Sequence, residues 1–109
     1  MEKLKYQEAI ETILSSFSDM VTREGGEVEI ICDREKGHYL VMVVGWHEQM
    51  RVYGSLVHLD LKENKIWIQQ DKTDPGIAKE LVEMGIPESD IVLAFKPVFL
   101  RKFTKYAVN

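Results

Sequence analysis

The chain has 109 residues, 45% apolar and 29% charged, with 14 basic and 18 acidic residues and a formal net charge of −4. That is the make-up of one ordinary globular domain, residues 1–109, which buries roughly two thirds of its unfolded surface without needing disulfide or metal staples. The acid excess argues against a general nucleic-acid coat, which needs cationic surface to displace counterions from phosphates, so direct nucleic-acid binding is not expected.

The first residues, MEKLKYQEAIETIL, carry acids through an apolar stripe and read as neither a signal peptide nor a membrane span. Leu4, Tyr6, Ile10, Ile13, Leu14, Phe17, Met20 and Val21 recur at three- and four-residue steps, which predicts a helix over about 3–22 with Gly25 and Gly26 ending it. A strand follows over Glu27–Asp33, and Arg34–Gly37 form a turn. From His38 to Asp71 the chain is rich in Val, Ile, Leu, Tyr and Trp and is cut by polar segments at 47–51 and 62–65, the pattern of a three-stranded antiparallel meander. Cys32, the single cysteine, makes no intrachain disulfide. A cytoplasmic setting is expected, and at strand spacing the residue reads as a small buried apolar group rather than a nucleophile.

Hairpins closed at Glu48/Gln49 and Glu63/Asn64 set Trp46 near Arg51, Leu40 near Val57, Leu61 near Ile66 and Leu59 near Ile68. Val28, Ile30, Cys32, Leu40, Met42, Val44, Tyr53, Val57, Leu59, Leu61, Ile66 and Ile68 then form the core face. The opposite face collects Ile31, Tyr39, Val41, Val43, Val52, Leu56, His58, Asp60, Trp67 and Gln69. It is too apolar to be left in water, so the later helix or a second copy of the chain is expected to cover it, and a homodimer follows. Glu-Gln is poor chemistry for a two-residue turn, which admits a longer loop and a one-residue slip there.

Beyond the sheet, Asp74 is placed to cap a helix, Pro75 suits its first position and Gly85 the residue past its end, with Ile86 against Leu81 and Pro87 enforcing the stop. Ile77, Ala78, Leu81 and Val82 form the buried stripe. Ile91–Phe95 reads as a short fifth strand, and Pro97 opens a short last helix with Phe99, Phe103 and Tyr106 on one side. The fold class is therefore α+β: a meander of about four strands plus a short fifth, with N-terminal, middle and C-terminal helices. The basic residues of 96–109 (Lys96, Arg101, Lys102, Lys105) face no acid in that segment, leaving ten bases against eighteen acids in the body. A solvated helix face is the plain reading; phosphates, an acidic partner or the acidic body of a dimer mate are the others. The candidate partner or dimer surface is Tyr39, Val41 and Val43 with Arg101, Lys102 and Lys105.

The chemistry on offer is sparse. His58 and Asp60 share a strand face, with Trp67 and Gln69 expected opposite, and these four form the candidate polar cluster. No nucleophile is fixed beside them, so a structural hydrogen-bond cluster is preferred to a catalytic one. His38, His47 and His58 are not at metal-ligand spacings, and with one cysteine no zinc site, other metal or cofactor is expected. Asp60 with Gln70-Asp71-Lys72 approximates the arrangement of divalent-metal nucleases but lacks a second carboxylate in register. No phosphate-binding glycine fingerprint is present.

From Val44 to Val108 the residues carry a distributed resemblance: Gly45-Trp46, Arg51-Val52-Tyr53-Gly54, His58-x-Asp60, Lys65-Ile66-Trp67-Ile68-Gln69, Gly85-Ile86-Pro87, Asp90-Ile91-Val92-Leu93 and Arg101-Lys102-Phe103-Thr104. In these the chain resembles the XisI family, fdxN-element excision controlling factors of cyanobacterial type, with the N-terminal helix matching in pattern only. The resemblance implies a small protein without enzymatic activity. It would act with an XisH-like partner of endonuclease-like fold to regulate a recombinase that excises a DNA element. It carries over no active-site residues, so no catalytic residue is assigned. The competing reading is a cryptic enzyme or ligand-binding module using His58, Asp60, Trp67 and Gln69.

Overall fold

The computed structural model describes residues 2–20, 25–74 and 76–109. Its elements run α1 (Glu2–Ser15), β1 (Glu27–Asp33), β2 (His38–His47), β3 (Met50–Lys62), β4 (Lys65–Asp71), α2 (Ile77–Glu83), a single 3₁₀ turn at Glu88–Asp90, β5 (Ile91–Leu93) and α3 (Val98–Arg101). The sheet order is β1-β2-β3-β4-β5; the first four strands form the expected antiparallel meander, and β5 joins β4 in parallel. A parallel neighbour needs a crossover, and the α2 segment supplies it. The fold is α+β.

Helix α1 is shorter than its apolar spacing predicts. After Ser15 the bonds become i→i+3, Phe17 N–H to Leu14 and Ser18 N–H to Ser15, while the Ser16 and Ser18 hydroxyls bond the carbonyls of Ile13 and Ser15. Serine side chains compete in this way with the helical ladder, and three of them in four residues tighten the last turn. Met20 is consequently exposed. Val21 and Thr22 lie outside the described residues. Gly25 and Gly26 open β1 instead of ending α1, with φ of 81° and 96°.

Strand β2 turns the face carrying Tyr39 and Val41 to the core, the reverse of the expected one. At the hairpin tip the expected register holds, with His47 opposite Met50 and Trp46 opposite Arg51, and Glu48 accepts a left-handed φ of 57° to close the two-residue turn. Deeper in the ladder Met42 pairs with Ser55 but Val41 pairs with Val57, so Leu56 is an extra residue, a β-bulge. Leu56 and Val57 both pack toward the core, and the alternation of β3 reverses beyond them. Tyr39 and Val41 are therefore fully buried, opposite Leu59 and Val57, and are no partner surface; Val43 shares their face and is partly buried. Leu40, Met42, Val44 and Tyr53, expected inside, lie on the other side of the sheet. Cys32 is exposed on edge strand β1, against expectation. Loss of hydration, reinforced by Glu11, pushes its thiol pKa up, away from nucleophilic thiolate.

The core forms between the first sheet face and both longer helices: Tyr6, Ile10, Ile13 and Leu14 of α1, Ile77 and Leu81 of α2, and Tyr39, Val41, Val57, Leu59, Ile66, Ile68 and Ile91 of the sheet. Because α2 packs on the same side as α1, it does not cover the opposite face. At the start of α2 the capping group is Asp71 rather than Asp74: its Oδ2 accepts the Ile77 N–H at 2.7 Å and its Oδ1 the Thr73 N–H at 2.8 Å, while the N-cap position itself is Gly76. Pro75 is outside the described residues. The far end follows the sequence: Gly85 has φ 95°, its N–H bonds Val82, and the Ile86 N–H bonds Leu81, a Schellman closure with both Leu81 and Ile86 buried. Helix α3 is one turn long and leaves Phe99 and Phe103 exposed instead of forming a packed stripe.

Candidate functional site

The open face of the sheet gathers the side chains that carry chemistry. Ile31 lies opposite Leu40 and Val44 opposite Tyr53, giving an apolar strip that runs to exposed Trp46 at the hairpin tip. The Arg51 guanidinium stands 5.3 Å from the Trp46 ring and 5.7 Å from that of Tyr53, within cation–π range. At the other end of the strip is a polar cluster centred on Asp60.

Asp60 lies on β3 directly opposite His38 of β2 and Trp67 of β4. Its Oδ1 is 2.7 Å from His38 Nδ1 and 3.0 Å from His58 Nε2, and its Oδ2 accepts the Gln69 Nε2 amide at 3.1 Å. The carboxylate is largely shielded, with its side chain 14% exposed, while His58 and His38 open progressively to solvent at 33% and 53%. Burial by itself raises the Asp60 pKa, but hydrogen bonds and charge from His38 and His58 outweigh it, and the net displacement is downward. The group is a carboxylate at neutral pH.

Of the four residues grouped by sequence, three meet: His58, Asp60 and Gln69. Trp67 is in register with Asp60, yet its indole N–H turns to the Lys62 carbonyl at 3.3 Å, and the ring is flanked by Lys62 Nζ at 4.4 Å and Arg101 at 6.0 Å. His38 was missed. With a straight ladder it falls opposite Leu59; the Leu56 bulge advances β3 by one residue and delivers Asp60 to it. A second irregularity, between His58 and Leu59, pairs His58 with Gln70 and Leu59 with Ile68. Gln69 is the extra residue there and reaches Asp60 from between those pairs.

The C-terminal cations divide. Arg101 spends its guanidinium inside the fold, on the carbonyls of Lys96, Ala94 and Val108. Lys105 pairs with Glu88 at 3.1 Å, and that hydrogen bond raises its pKa. Lys102 is exposed beside Phe103. Phe95, Val98, Phe99 and Phe103 of the same segment are each exposed and offer a second apolar surface.

A family profile described as XisI protein matches residues 1–108. The chain belongs to the XisI family. Among solved structures, an XisI-like protein from Anabaena variabilis is 40% identical to this XisI chain, with a TM-score of 0.90, covering 98% of this chain and 99% of that one. A second XisI-family crystal structure, the fdxN element excision controlling factor XisI from Anabaena variabilis, is 28% identical, with a TM-score of 0.88 and full coverage of both chains. None of the curated proteins matches this XisI chain.

Proposed function

We propose that this XisI chain is a noncatalytic control protein. It acts in the cytoplasm with an XisH-like partner to regulate site-specific excision of a DNA element, and it associates with a second copy of itself. The observation that carries the reading is the open sheet face. Both longer helices pack on the other side, and Ile31, Leu40, Met42, Val44, Trp46 and Tyr53 form an apolar strip with Trp46 and Tyr53 more than 60% exposed. Strips of this kind mark interfaces. A same-fold relative is named as an excision controlling factor, which supports a regulatory role. No helix among the described residues is long and apolar enough to cross a membrane. An acidic body suits a partner that is itself basic, such as a DNA enzyme, better than DNA.

Two uncovered surfaces, the sheet strip and the aromatic C-terminal patch, match two occupants. Co-purification with an XisH-like protein at micromolar concentration, alongside sedimentation of the chain alone, tests the reading. Tyr53→Glu and Phe99→Glu assign each surface its occupant. A chain that stays monomeric and captures no XisH-like protein overturns the proposal.

A further inference from the structure

We propose that His38, His58 and Asp60 form a binding site for one divalent transition-metal ion of the zinc class. Three observations converge. His38 Nδ1, His58 Nε2 and an Asp60 oxygen lie within 4.8 Å of one another, drawn from two adjacent strands by direct pairing rather than by a flexible loop. The second carboxylate oxygen is held by Gln69, the kind of supporting hydrogen bond that fixes the orientation of a metal-ligating carboxylate. Exposure is graded from shielded Asp60 to open His38, so the ligands are rigid on one side and an ion has an entry path on the other.

The present contacts are hydrogen bonds, and a metal asks for modest movement. Ligand atoms about 2.0–2.2 Å from a tetrahedral ion stand about 3.4 Å apart, so the 2.7 Å separation of His38 Nδ1 from Asp60 has to widen. His38, half exposed at the start of β2, can supply that shift by rotating its side chain. Two imidazoles with one carboxylate favour zinc, copper, nickel or iron over magnesium and calcium, which prefer all-oxygen sites. Three protein ligands leave at least one position for water or an incoming group. The site is complete within one chain and so stands or falls independently of the docking surfaces.

Isothermal titration of the metal-stripped full chain with Zn²⁺ is expected to show saturable binding of one ion per chain. His38→Ala and Asp60→Asn should each weaken it by about tenfold or more, and Gln69→Ala by about tenfold. Co²⁺ should give a visible ligand-field spectrum that His38→Ala abolishes. His47→Ala, which removes the one histidine outside the cluster, should leave both readouts unchanged, and Mg²⁺ should not compete. Absence of saturable Zn²⁺ binding by the wild-type chain overturns the site. So does equal affinity in the His38→Ala variant, whose side chain is half exposed, or equal loss in His47→Ala.

Discussion

Val41 faces Val57 across the β2–β3 ladder, both fully buried, while the next residue of β2, Met42, faces Ser55. The one-residue offset decides which side of β2 is core. Val41→Thr places a hydroxyl of nearly the same volume against apolar neighbours and should cost about 1–3 kcal/mol. Met42→Thr, on the open face, should change monomer stability by about 0.5 kcal/mol or less. Urea midpoints for the two variants read the difference; equal costs would mean that the bulge does not set the faces.

Gly37 and Gly85 both sit at positive φ, 74° and 95°, but for different reasons. A Cβ at Gly37 would lie 2.4 Å from the Leu61 carbonyl oxygen, where Gly37 accepts the Leu61 N–H at 2.8 Å, tying the first turn to β3. A Cβ at Gly85 meets nothing nearer than the flexible end of Lys5, at 3.7 Å. Gly85→Ala should therefore cost about 1–2 kcal/mol, the conformational penalty alone. Gly37→Ala should cost more, because the backbone has to part from Leu61. Thermal melts of the two variants check the order.

Asp60 makes stability depend on acid in a stated direction. Its folded pKa lies below the ordinary 3.8, so the fold favours the ionised form. That contribution is fully present above the unfolded value and is lost as pH falls through the lower folded value. Stability of the wild-type chain should decline below about pH 4, and Asp60→Asn should flatten that decline while lowering stability near neutrality. Chemical denaturation from pH 2 to 7 measures both. A parallel curve for the variant would show that the two histidines do not hold the carboxylate in its charged form.

Strand and turn positions were legible because local chemistry set them. The limits of β1, the Glu63-Asn64 turn and the Gly85 closure follow from alternation and from residues placed where left-handed backbone is needed, whereas the Glu48-Gln49 turn closes against the preference of its residues, with Glu48 at φ 57°. What escaped was set by tertiary pairing. Leu56 has no sequence mark as a bulge, since an apolar residue suits either face, yet it reversed the facing of β2 and hid His38 from the cluster. Asp71 took the capping role from Asp74 because its carboxylate binds Thr73 and Ile77 together, and spacing alone cannot distinguish two aspartates three residues apart. Arg101 and Lys105 looked like free surface charge but are committed to carbonyls and to Glu88.

Arg101 supplies the last expectation. Its guanidinium reaches the carbonyls of Lys96 at 2.9 Å, Val108 at 3.2 Å and Ala94 at 3.3 Å, joining the two ends of the C-terminal segment. That segment ends in a bridge to β5, where the Ala107 N–H bonds the Ile91 carbonyl at 2.8 Å. Three different nitrogens of one rigid planar fork reach three separate carbonyls, a spread that the single nitrogen of an ammonium on a flexible stem does not reproduce, so donor geometry and not charge is the property that matters. Arg101→Lys should behave like Arg101→Ala, and in both the Ala107 amide should exchange with solvent about tenfold or more faster as the bridge opens more often. Hydrogen–deuterium exchange resolved to single amides measures this, with the Ile68 amide in the sheet interior as internal reference. Protection of Ala107 retained in Arg101→Lys would show that a single positive charge suffices and that the guanidinium is not the brace.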